Sequence, residues 1–400
     1  MNQRMPAGCH DLVIIGGGLA GLMAAWRAEV FGLSPVLINV GVPGTADSLG
    51  GFAPFSGAKF SLFPAGTGLA PLVGGNEELI QRYGTICSDL LKLGFAEFHV
   101  SPEDLMGCEV RGDDGLSYRN YHSILLTPTR IAQLLAALAA RLTNSLILPA
   151  IVASIDMNDG GPFRVHLVDG NIVSARKLIV AAGRLGANLL KSAGVREMPG
   201  KGIDVGVRLE FETCAPVVGL RGLGPDAKFI ADGVRTFCLN SPGKIFHYPG
   251  AGFCLPGGIV AESDWPQSNV GILCRLDDRD AVIRHVEEMA PARDTAPLGF
   301  EGRGERFEWT DHALALVGAE TASRIDRFIQ RLLESGLVAL PPSYTVHYPL
   351  LDWHWPVFSQ PGRLVTSVPG LLAAGDTSGH ARGLMQAALM GLLAVEEALN

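Results

Sequence analysis

The sequence lacks the cysteine patterns that mark disulfide frameworks and metal sites. Its cysteines, at positions 9, 87, 108, 214, 238, 254 and 274, form no Cys-x-x-Cys pair and no Cys/His spacing typical of metal ligands. Their odd number, seven, and their wide scatter are typical of unpaired thiols in a reducing compartment. We therefore expect neither a redox-active disulfide nor a bound metal.

Basic clusters and membrane-spanning runs are also missing. The formal net charge is −8 and no lysine- or arginine-rich run is present, so we expect no nucleic-acid partner. The longest apolar run, 131–153, contains Arg141, Asn144 and Pro149, and is not expected to cross a membrane. No signal peptide precedes the first predicted strand. These patterns predict a cytoplasmic protein, a monomer or homodimer, with a small-molecule substrate.

A glycine-rich turn between a strand pattern and a helix pattern is the strongest signal that is present. Asp11 is followed by the apolar run 12–15, which enters Gly16-x-Gly18-x-x-Gly21, and helix-forming residues follow. In such a turn the first glycine permits the tight bend, the second lets the backbone approach a diphosphate, and the third lets helix and strand pack closely. The N–H groups that begin the helix can bind phosphate. We expect the cofactor to contact this turn at Gly16, Gly18, Leu19, Ala20 and Gly21.

The residue expected to bind the adenosine ribose is unusual. The second strand pattern, 35–39, ends where dinucleotide-binding proteins normally carry an acidic side chain, and Asn39 stands there instead. Its amide can accept one ribose hydrogen bond and donate another. No arginine neighbours Asn39, which argues against NADP in this site. An ordinary asparagine at the end of a strand is the alternative interpretation.

Two later segments extend the pattern. Between 145 and 183, alternating apolar residues around the turn 169–171 predict a hairpin or three-stranded meander, which leads into a buried strand ending at Gly183. Near the C-terminus a strand ends in Gly375-Asp376, and a helix follows from Gly383. The order of the three segments resembles that of FAD-dependent oxidoreductases with a single Rossmann domain.

A narrower resemblance lies in the segment 49–61, Leu-Gly-Gly-Phe-Ala-Pro-Phe-Ser-Gly-Ala-Lys-Phe-Ser. It is similar to the glycine-rich loop of the uncharacterised FAD-dependent dehydrogenases, also described as NAD(FAD)-utilising dehydrogenases. The segments 204–210 and 235–243 are similar to that family as well. The chain departs from the family pattern at Asn39, at Ala58, where an acidic residue is usual, and at His380 and Arg382, where small or neutral residues are usual.

The resemblance implies FAD as the cofactor and no separate NAD(P)H domain. Asp376 would bind the ribityl or pyrophosphate region of FAD, and the last helix would direct its N-terminal dipole at the pyrimidine edge of the flavin. The remaining implied cofactor contacts are Asn39, Gly50, Gly51, Ile151, Val152, Ala182, Gly183, Gly375, Gly383, Leu384 and Met385.

The predicted fold class is α/β, with a Rossmann-type FAD-binding domain that contains a β-meander and with an inserted α+β substrate domain built on an antiparallel sheet. We assign 1–60, 120–200 and 362–400 to the FAD-binding domain, and 61–119 and 201–361 to the substrate domain. Within the latter, alternation and turn residues predict strands at 204–211, 236–239, 244–248, 258–262 and 270–276. Apolar residues at helical spacing predict helices at 279–289 and 321–334.

Substrate oxidation by a flavin needs two things from the protein: the carbon that donates the hydride must be held over flavin N5, and a side chain must accept the proton that leaves the substrate. The candidate catalytic residues are those that could meet these needs. Lys59 would lie along the flavin edge, with a phosphate or structural contact as the alternative. Arg382 could stabilise reduced flavin or bind a carboxylate. The alternative is a solvated arginine on the surface. His380 could be a base or a capping residue.

Further candidates lie in the predicted substrate domain. His247 and His354 occur in aromatic-rich segments of a chain in which only 7% of the residues are aromatic; ordinary core packing is their alternative role. Arg208 alternates with apolar neighbours and could point at substrate, with an ion pair to Glu210 or another acid as the alternative.

The leading functional prediction is an FAD-dependent dehydrogenase or oxidase that transfers a hydride from a small polar metabolite to flavin N5. The alternative is an NAD(P)H-dependent flavin monooxygenase or reductase, and a third interpretation is an FAD-binding protein without catalytic activity. A second Gly-x-Gly-x-x-Gly after a strand is missing from the sequence, which argues against a dedicated nicotinamide domain.

Overall fold

The computed structural model describes residues 8–40, 49–112, 115–157, 160–198, 200–290, 296–304 and 308–400. The strands within these ranges are β1 (Cys9–Ile15), β2 (Val36–Asn39), β3 (Lys59–Ser61), β4 (Cys108–Arg111), β5 (Ser117–Asn120), β6 (Ser123–Leu125), β7 (Leu146–Pro149), β8 (Val152–Met157), β9 (Phe163–Leu167), β10 (Ile172–Val180), β11 (Ile203–Phe211), β12 (Lys228–Ala231), β13 (Val234–Asn240), β14 (Gly243–Gly250), β15 (Phe253–Val260), β16 (Ser268–Leu276), β17 (Leu298–Gly302), β18 (Tyr344–Asp352) and β19 (Leu371–Ala373).

The α-helices within the same ranges are α1 (Leu19–Val30), α2 (Ala70–Val73), α3 (Asn76–Lys92), α4 (Pro128–Arg141), α5 (Gly186–Ser192), α6 (Val218–Gly222), α7 (Arg279–Met289), α8 (Asp311–Val317), α9 (Ala319–Glu334) and α10 (Leu384–Leu399). Short 3-10 helices lie at Ala53–Phe55, Thr67–Leu69, Ala96–Phe98, Gly183–Leu185, Ala215–Val217 and Gly375–Ser378. In the part of the chain that the structure describes, no helix is long and apolar enough to cross a membrane.

The first sheet is built around β1, which pairs in parallel with β2 and with β10. Strand β7 pairs in parallel with β2, and β19 with the second half of β10. The first half of β10 pairs antiparallel with β9, which pairs with β8. Both faces of β1 are buried: Leu12 and Ile14 pack in one core cluster, and Val13 and Ile15 in another. Continuous apolar strands of this kind are typical of parallel sheets covered on both faces.

Helices α1 and α10 pack directly on one another over one face of this sheet. The contact depends on Gly391, because a Cβ atom at this position would lie 2.1 Å from the carbonyl oxygen of Ala20. The close approach brings the first turn of α1 next to a helix from the other end of the chain. It therefore positions two of the three segments that the sequence predicts to bind a cofactor.

The second sheet has the strand order β17-β18-β11-β16-β13-β12-β5-β4 in the described residues, and its registered pairs are antiparallel. Alternate residues of β11 point to opposite faces. Val205, Val207 and Leu209 pack in the core with α8 and α9. Asp204 and Arg208 therefore lie on the opposite face, which we call the polar face.

The fold agrees with the predicted class at the level of a mixed α/β protein with a sheet that contains parallel strands. Helix α7 has the predicted bounds, and α9 begins two residues earlier than predicted, at Ala319 instead of Thr321. The predicted strand 258–262 was misplaced, since β15 ends at Val260. The segment 146–149 is not part of the meander but a parallel neighbour of β2. The domain boundaries remain a prediction.

The packing of α1 on α10 can be tested by Gly391→Val. The added side chain would clash with the backbone of α1, so we expect the free energy of unfolding to fall by about 2–3 kcal/mol. Gly222→Ala is the control, because a Cβ atom at Gly222 meets nothing within 4 Å. Denaturant unfolding measures both variants. Equal stability of Gly391→Val and the wild type would contradict the packing described here.

Candidate cofactor and active site

The glycine turn has the geometry that the motif predicts. Gly16 has a φ of +108°, and a Cβ atom there would lie 2.6 Å from the carbonyl oxygen of Ala181. A Cβ atom at Gly21 would lie 1.8 Å from the carbonyl oxygen of Gly16. Gly18 precedes α1 and has no side chain with which to cap the N–H groups of the first helical turn. These donors are of the kind that bind phosphate oxygens.

The loop that begins at Leu49 lies against this turn. The N–H of Gly50 donates to the carbonyl oxygen of Gly17 at 2.8 Å, and Gly18 and Gly50 form an isolated parallel bridge. Gly50 and Gly51 both have positive φ, +100° and +54°. The structure thus brings the two predicted contacts Gly50 and Gly51 to the glycine turn.

Asn39 is buried beneath the turn at the end of β2. Its Oδ1 accepts the N–H of Gly17 at 3.0 Å, and its Nδ2 donates to the carbonyl oxygen of Val40 at 3.1 Å. The side chain therefore supports the turn itself. Ile151 and Val152 follow β7, whose last residue is the register partner of Asn39, and Ile151 is 53% exposed. Their predicted role in cofactor binding stays a prediction.

Gly375 and Asp376 lie beside the start of α1. Gly375 has a φ of +68°, and a Cβ atom there would lie 3.4 Å from the Cβ of Ala20. The indole N–H of Trp355 donates to the backbone carbonyl oxygen of Asp376 at 2.9 Å. The Asp376 carboxylate is therefore held near the helix terminus that the sequence predicts to bind phosphate.

Ala182 and Gly183 close the other side of the turn. A Cβ atom on Gly16 would lie 2.9 Å from the Cα of Ala182. The hydroxyl of Thr377 donates to the carbonyl oxygen of Gly183. The ends of β1, β10 and β19 therefore meet at one edge of the sheet, where ligands of such sheets bind.

The first turn of α10, which contains Leu384 and Met385, is fixed by the buried side chain of Gln386. Its Nε2 donates to the carbonyl oxygen of Ser61 and to the hydroxyl of Tyr83, each at 3.0 Å. Gly383 precedes the helix with a φ of +120°. These bonds hold the beginning of α10 against β3, the strand that carries Lys59.

A chain of alternating arginines and aspartates crosses from the polar face to Asp376. We call it the charge ladder, and its members in order are Arg275, Asp204, Arg235, Asp352, Arg382, Asp376 and Arg184.

The two inner aspartates of the charge ladder are deeply buried. Asp204 is 0% exposed and pairs with both Arg275 and, at 2.5 Å, Arg235. The Asp352 side chain is 3% exposed and pairs with Arg382, and its Oδ2 lies 3.6 Å from Arg235 Nη2. Burial alone would raise the pKa of Asp352, but the charges of Arg382, Arg184 and Arg235 outweigh it and hold that pKa below its usual range.

The outer end of the charge ladder is looser. Asp376 Oδ2 lies 3.5 Å from Arg382 Nε and 3.7 Å from Arg184 Nε. Burial alone would lower the pKa of Arg382, but the negative charges of Asp352 and Asp376 outweigh burial and raise this pKa. Arg382 is therefore paired, and the predicted solvated surface role is wrong.

Lys59 lies in a second polar cluster. Its Nζ donates to the carbonyl oxygen of Leu239 and lies 3.9 Å from Asp226 Oδ1. Asp226 also accepts hydrogen bonds from the Tyr121 hydroxyl at 2.8 Å and from the Ser61 hydroxyl at 3.1 Å. Burial would raise the pKa of Asp226, but the neighbouring lysines lower it. The cluster thus holds a lysine and an ionised carboxylate beside α10.

Two further ionisable groups lie near this cluster. Burial, together with the charge of Arg235, lowers the pKa of Lys228 to about 8. Burial would raise the pKa of the Cys238 thiol, but the charges of Lys59 and Arg208 lower it. Cys238 also has a positive φ, +46°, where β13 bulges away from β16. The cluster therefore contains more cationic side chains than carboxylates.

The predicted histidines occupy three different environments. His380 is buried, and its Nε2 hydrogen-bonds to the carbonyl oxygen of Arg363 at 2.7 Å, which fits its alternative, packed role. The His247 ring lies 5.6 Å from that of His347, and burial and this neighbour lower the pKa of His247. Burial and the charge of Arg184 lower the pKa of His354 to about 3, so His354 is neutral at pH 7.

Arg208 differs from the predicted ion pair. It is 1% exposed and its Nη1 donates to Asn269 Oδ1 at 2.8 Å and to the carbonyl oxygen of Cys238 at 3.1 Å. Glu210 instead hydrogen-bonds to His347 at 2.8 Å. The alternative interpretation, an ion pair of Arg208 with Glu210, was therefore wrong.

Several residues of the site were not singled out in the sequence. The only signal for Asp204 is the alternation of β11, which puts it on the same face as Arg208. The others come from separate strands and loops, so their partners could not be inferred from spacing. The residues of the charge ladder and the Lys59 cluster that the sequence analysis missed are Arg184, Asp204, Asp226, Lys228, Arg235, Arg275 and Asp352.

In the described ranges, no group of three or more histidine, cysteine, aspartate or glutamate side chains is placed to hold a metal ion. No family model matches the sequence, and no curated protein matches it.

Solved structures align with nearly the whole chain. A flavoprotein/dehydrogenase from Cytophaga hutchinsonii is 14% identical, with 97% of this chain and 79% of that chain covered and a TM-score of 0.45. The glycine oxidase from Geobacillus kaustophilus is 12% identical, with coverages of 97% and 95% and a TM-score of 0.44. CtdE in complex with FAD is 12% identical, with coverages of 98% and 83% and a TM-score of 0.40.

The first of these proteins is described as a flavoprotein, and the third is a complex with FAD.

The charge ladder can be tested by Asp352→Asn. Removing this carboxylate leaves Arg382 buried with a weaker counter-charge, so we expect the free energy of unfolding at pH 7 to fall by about 3 kcal/mol. Because the pKa of Asp352 is lowered on folding, its contribution is present above about pH 4 and is lost as the pH falls further. The stability difference between variant and wild type should therefore shrink in acid.

The control for this experiment is Asp280→Asn, because the Asp280 side chain is 73% exposed in its pair with Arg279. We expect an effect below about 1 kcal/mol from it. Denaturant unfolding at several pH values measures both variants. A loss for Asp352→Asn no larger than for the control would contradict the buried ladder.

Proposed function

We propose that the protein is an FAD-dependent oxidoreductase, a dehydrogenase or oxidase acting on a small polar metabolite. The observation that carries the proposal is the convergence of the glycine turn, the Gly375-Asp376 segment and the start of α10 at one edge of the first sheet. Two helix N-termini and a glycine-lined backbone at such an edge suit a dinucleotide with a diphosphate.

One further observation supports the fit to FAD, and another supports an anionic ligand beside it. A Cβ atom on Gly18 would have ordinary contacts only, the nearest being the carbonyl oxygen of Gly50 at 3.8 Å, so the backbone here is open to close approach. Arg184 Nη1 and Arg382 Nε are buried and have no hydrogen-bond acceptor among the described residues. Donors of this kind suit an anionic group beside Asp376, such as an acidic substrate next to the cofactor.

The proposed roles of the chain's own residues follow from their positions. FAD, when bound, supplies the hydride acceptor. Gly16, Gly18, Gly50 and Gly51 would contact its diphosphate, and Asp376 its ribityl or pyrophosphate region. The start of α10 would direct its partial positive charge at the ring system.

Three residues are proposed to act on the substrate: Lys59 on β3, His247 on β14 and His354, which follows β18. Lys59, held by Leu239 and Asp226, would supply a fixed positive charge where negative charge develops. His247 and His354 are neutral imidazoles with a buried Nε2 that has no partner in the described part of the chain. The His247 ring could accept the proton that leaves the substrate, whereas the low pKa of His354, about 3, suits its ring to a hydrogen bond and not to proton uptake.

The proposal is tested first by cofactor binding. Purified protein is dialysed against FAD, and bound flavin is measured by its visible absorption and by mass spectrometry after denaturation. Gly18→Val adds a side chain where the diphosphate would approach, so we expect FAD binding at least about tenfold weaker, with stability unchanged. Gly222→Ala should bind FAD as the wild type does. A wild-type protein that takes up no FAD in excess would overturn the proposal.

Catalytic type is tested by anaerobic reduction of the bound flavin. Bleaching by organic substrates without a nicotinamide supports a dehydrogenase or oxidase. Bleaching by NADPH alone or only with substrate supports the reductase or monooxygenase alternative. A flavin that no compound reduces would support the inactive FAD-binding protein.

The role of Lys59 is tested with a substrate found in that screen. We expect Lys59→Met to retain FAD and to slow flavin reduction by about a hundredfold, because a fixed charge is removed from the reacting region. Lys59→Arg should recover part of the rate. Lys92→Met is the control, since the Lys92 side chain is 72% exposed. Reduction of Lys59→Met at the wild-type rate would rule out this role.

A further inference from the structure

Arg184 occupies an aromatic-walled position at the end of the charge ladder. It lies in the 3-10 helix Gly183–Leu185, which follows β10. Its guanidinium lies 4.7 Å from the ring centre of Trp355, 4.9 Å from that of Tyr248 and 5.9 Å from that of Phe52. Tyr248 belongs to the hairpin β14–β15, whereas Phe52 belongs to the glycine-rich loop. The side chain of Arg184 therefore lies between the predicted cofactor site and the hairpin.

The hydrogen-bonding capacity of Arg184 is not used by the described residues. The nearest carboxylate oxygen is Asp376 Oδ2, 3.7 Å from Nε, and Nη1 is buried with no acceptor in the ranges that the structure describes. Arg382 Nε, 3.5 Å from the same oxygen, also makes no hydrogen bond to any described residue. Two neighbouring guanidinium groups thus share one loosely held carboxylate.

The charges of the ladder do not balance. It contains the four arginines 184, 235, 275 and 382 but only the three aspartates 204, 352 and 376. Asp204 forms close ion pairs with Arg275 and Arg235, and Asp352 forms one with Arg382. Arg184 has no close ion pair in the described residues, since its nearest carboxylate contact is 3.7 Å long, so we assign the surplus positive charge to Arg184. Buried charge without a partner is costly, and an anion at this end would compensate it.

We propose that Arg184, together with Arg382, binds the carboxylate of an organic-acid substrate whose planar or apolar part packs on Phe52 and Tyr248. This inference rests on the proposed oxidoreductase function and names the substrate class for the same site. The planar fork of an arginine matches a carboxylate in a bidentate pair, and aromatic rings suit a flat, unsaturated body.

The surroundings of the two arginines favour a substrate carboxylate over the FAD diphosphate. Arg382 lies 5.9 Å from the ring centre of Phe237 and pairs with Asp352, and both of these residues belong to the polar face. Arg184 contacts Tyr248 of the hairpin. The diphosphate has its own donors at the first turn of α1, beside Gly18.

The experiment uses para-fluorobenzoate as the probe and fluorine NMR as the readout, which does not depend on a flavin signal. FAD binding is measured separately by visible absorption. We expect the wild type to bind para-fluorobenzoate and to bind the neutral para-fluorobenzamide at least about tenfold more weakly. We expect Arg184→Met to lose about tenfold to a hundredfold in affinity for the acid while it retains FAD.

The matched control is Arg176→Met, because the Arg176 side chain is 69% exposed in its pair with Asp11. It should bind the acid as the wild type does. Arg184→Lys keeps the positive charge but lacks the planar guanidinium that can form two hydrogen bonds to a carboxylate, so we expect its affinity for para-fluorobenzoate to lie between those of the wild type and Arg184→Met. If Arg184→Met does not fold, the comparison of acid and amide on the wild type decides.

Three outcomes would overturn the inference. The first is a wild type that holds FAD but binds acid and amide alike. The second is a folded Arg184→Met that binds the acid as the wild type does. The third is a loss of FAD affinity in Arg184→Met with acid binding unchanged, which would assign Arg184 to the cofactor. A wild type that binds no FAD would instead overturn the proposed function.

Discussion

The burial of Asp352 between Arg235 and Arg382 is the interaction on which the site depends. Asp352 ends β18 on the polar face, whereas Arg382 lies at the entrance to α10 beside the first sheet. An ion pair in this position is favourable only if both partners are held in good geometry, because each has lost its hydration. The requirement fixes the distance between the polar face and α10, and with it the relation between the proposed cofactor-binding and substrate-binding residues.

Close backbone approach is the second constraint, and it acts at glycines. At Gly16, Gly21 and Gly391 an added Cβ atom would overlap a neighbouring carbonyl oxygen. These contacts bring β1, α1 and α10 together closely enough for their termini to share one edge. The beginning of α10 is thus positioned both by glycine packing at the first sheet and by the ion pair of Arg382 with Asp352 of the second sheet.

Much of the first sheet could be predicted from sequence because its signals are local. The strand before Gly16, the meander around 169–171 and the Gly375-Asp376 segment each carry their own turn residues, and the structure brings them together. The charge ladder could not be predicted, because its members come from separate strands whose pairing is non-local. Arg208 illustrates the limit: alternation indicated its face, but its partners Asn269 and Cys238 belong to other strands.

The union of α1 with α10 has a consequence for how the protein is made. Helix α1 spans Leu19–Val30, and its partner spans Leu384–Leu399. During synthesis α1 leaves the ribosome before α10, so the face of α1 that packs on α10 has no partner helix until residues 384–399 have been made. The proposed cofactor site, which uses the beginnings of both helices, can form only after α10 has joined α1.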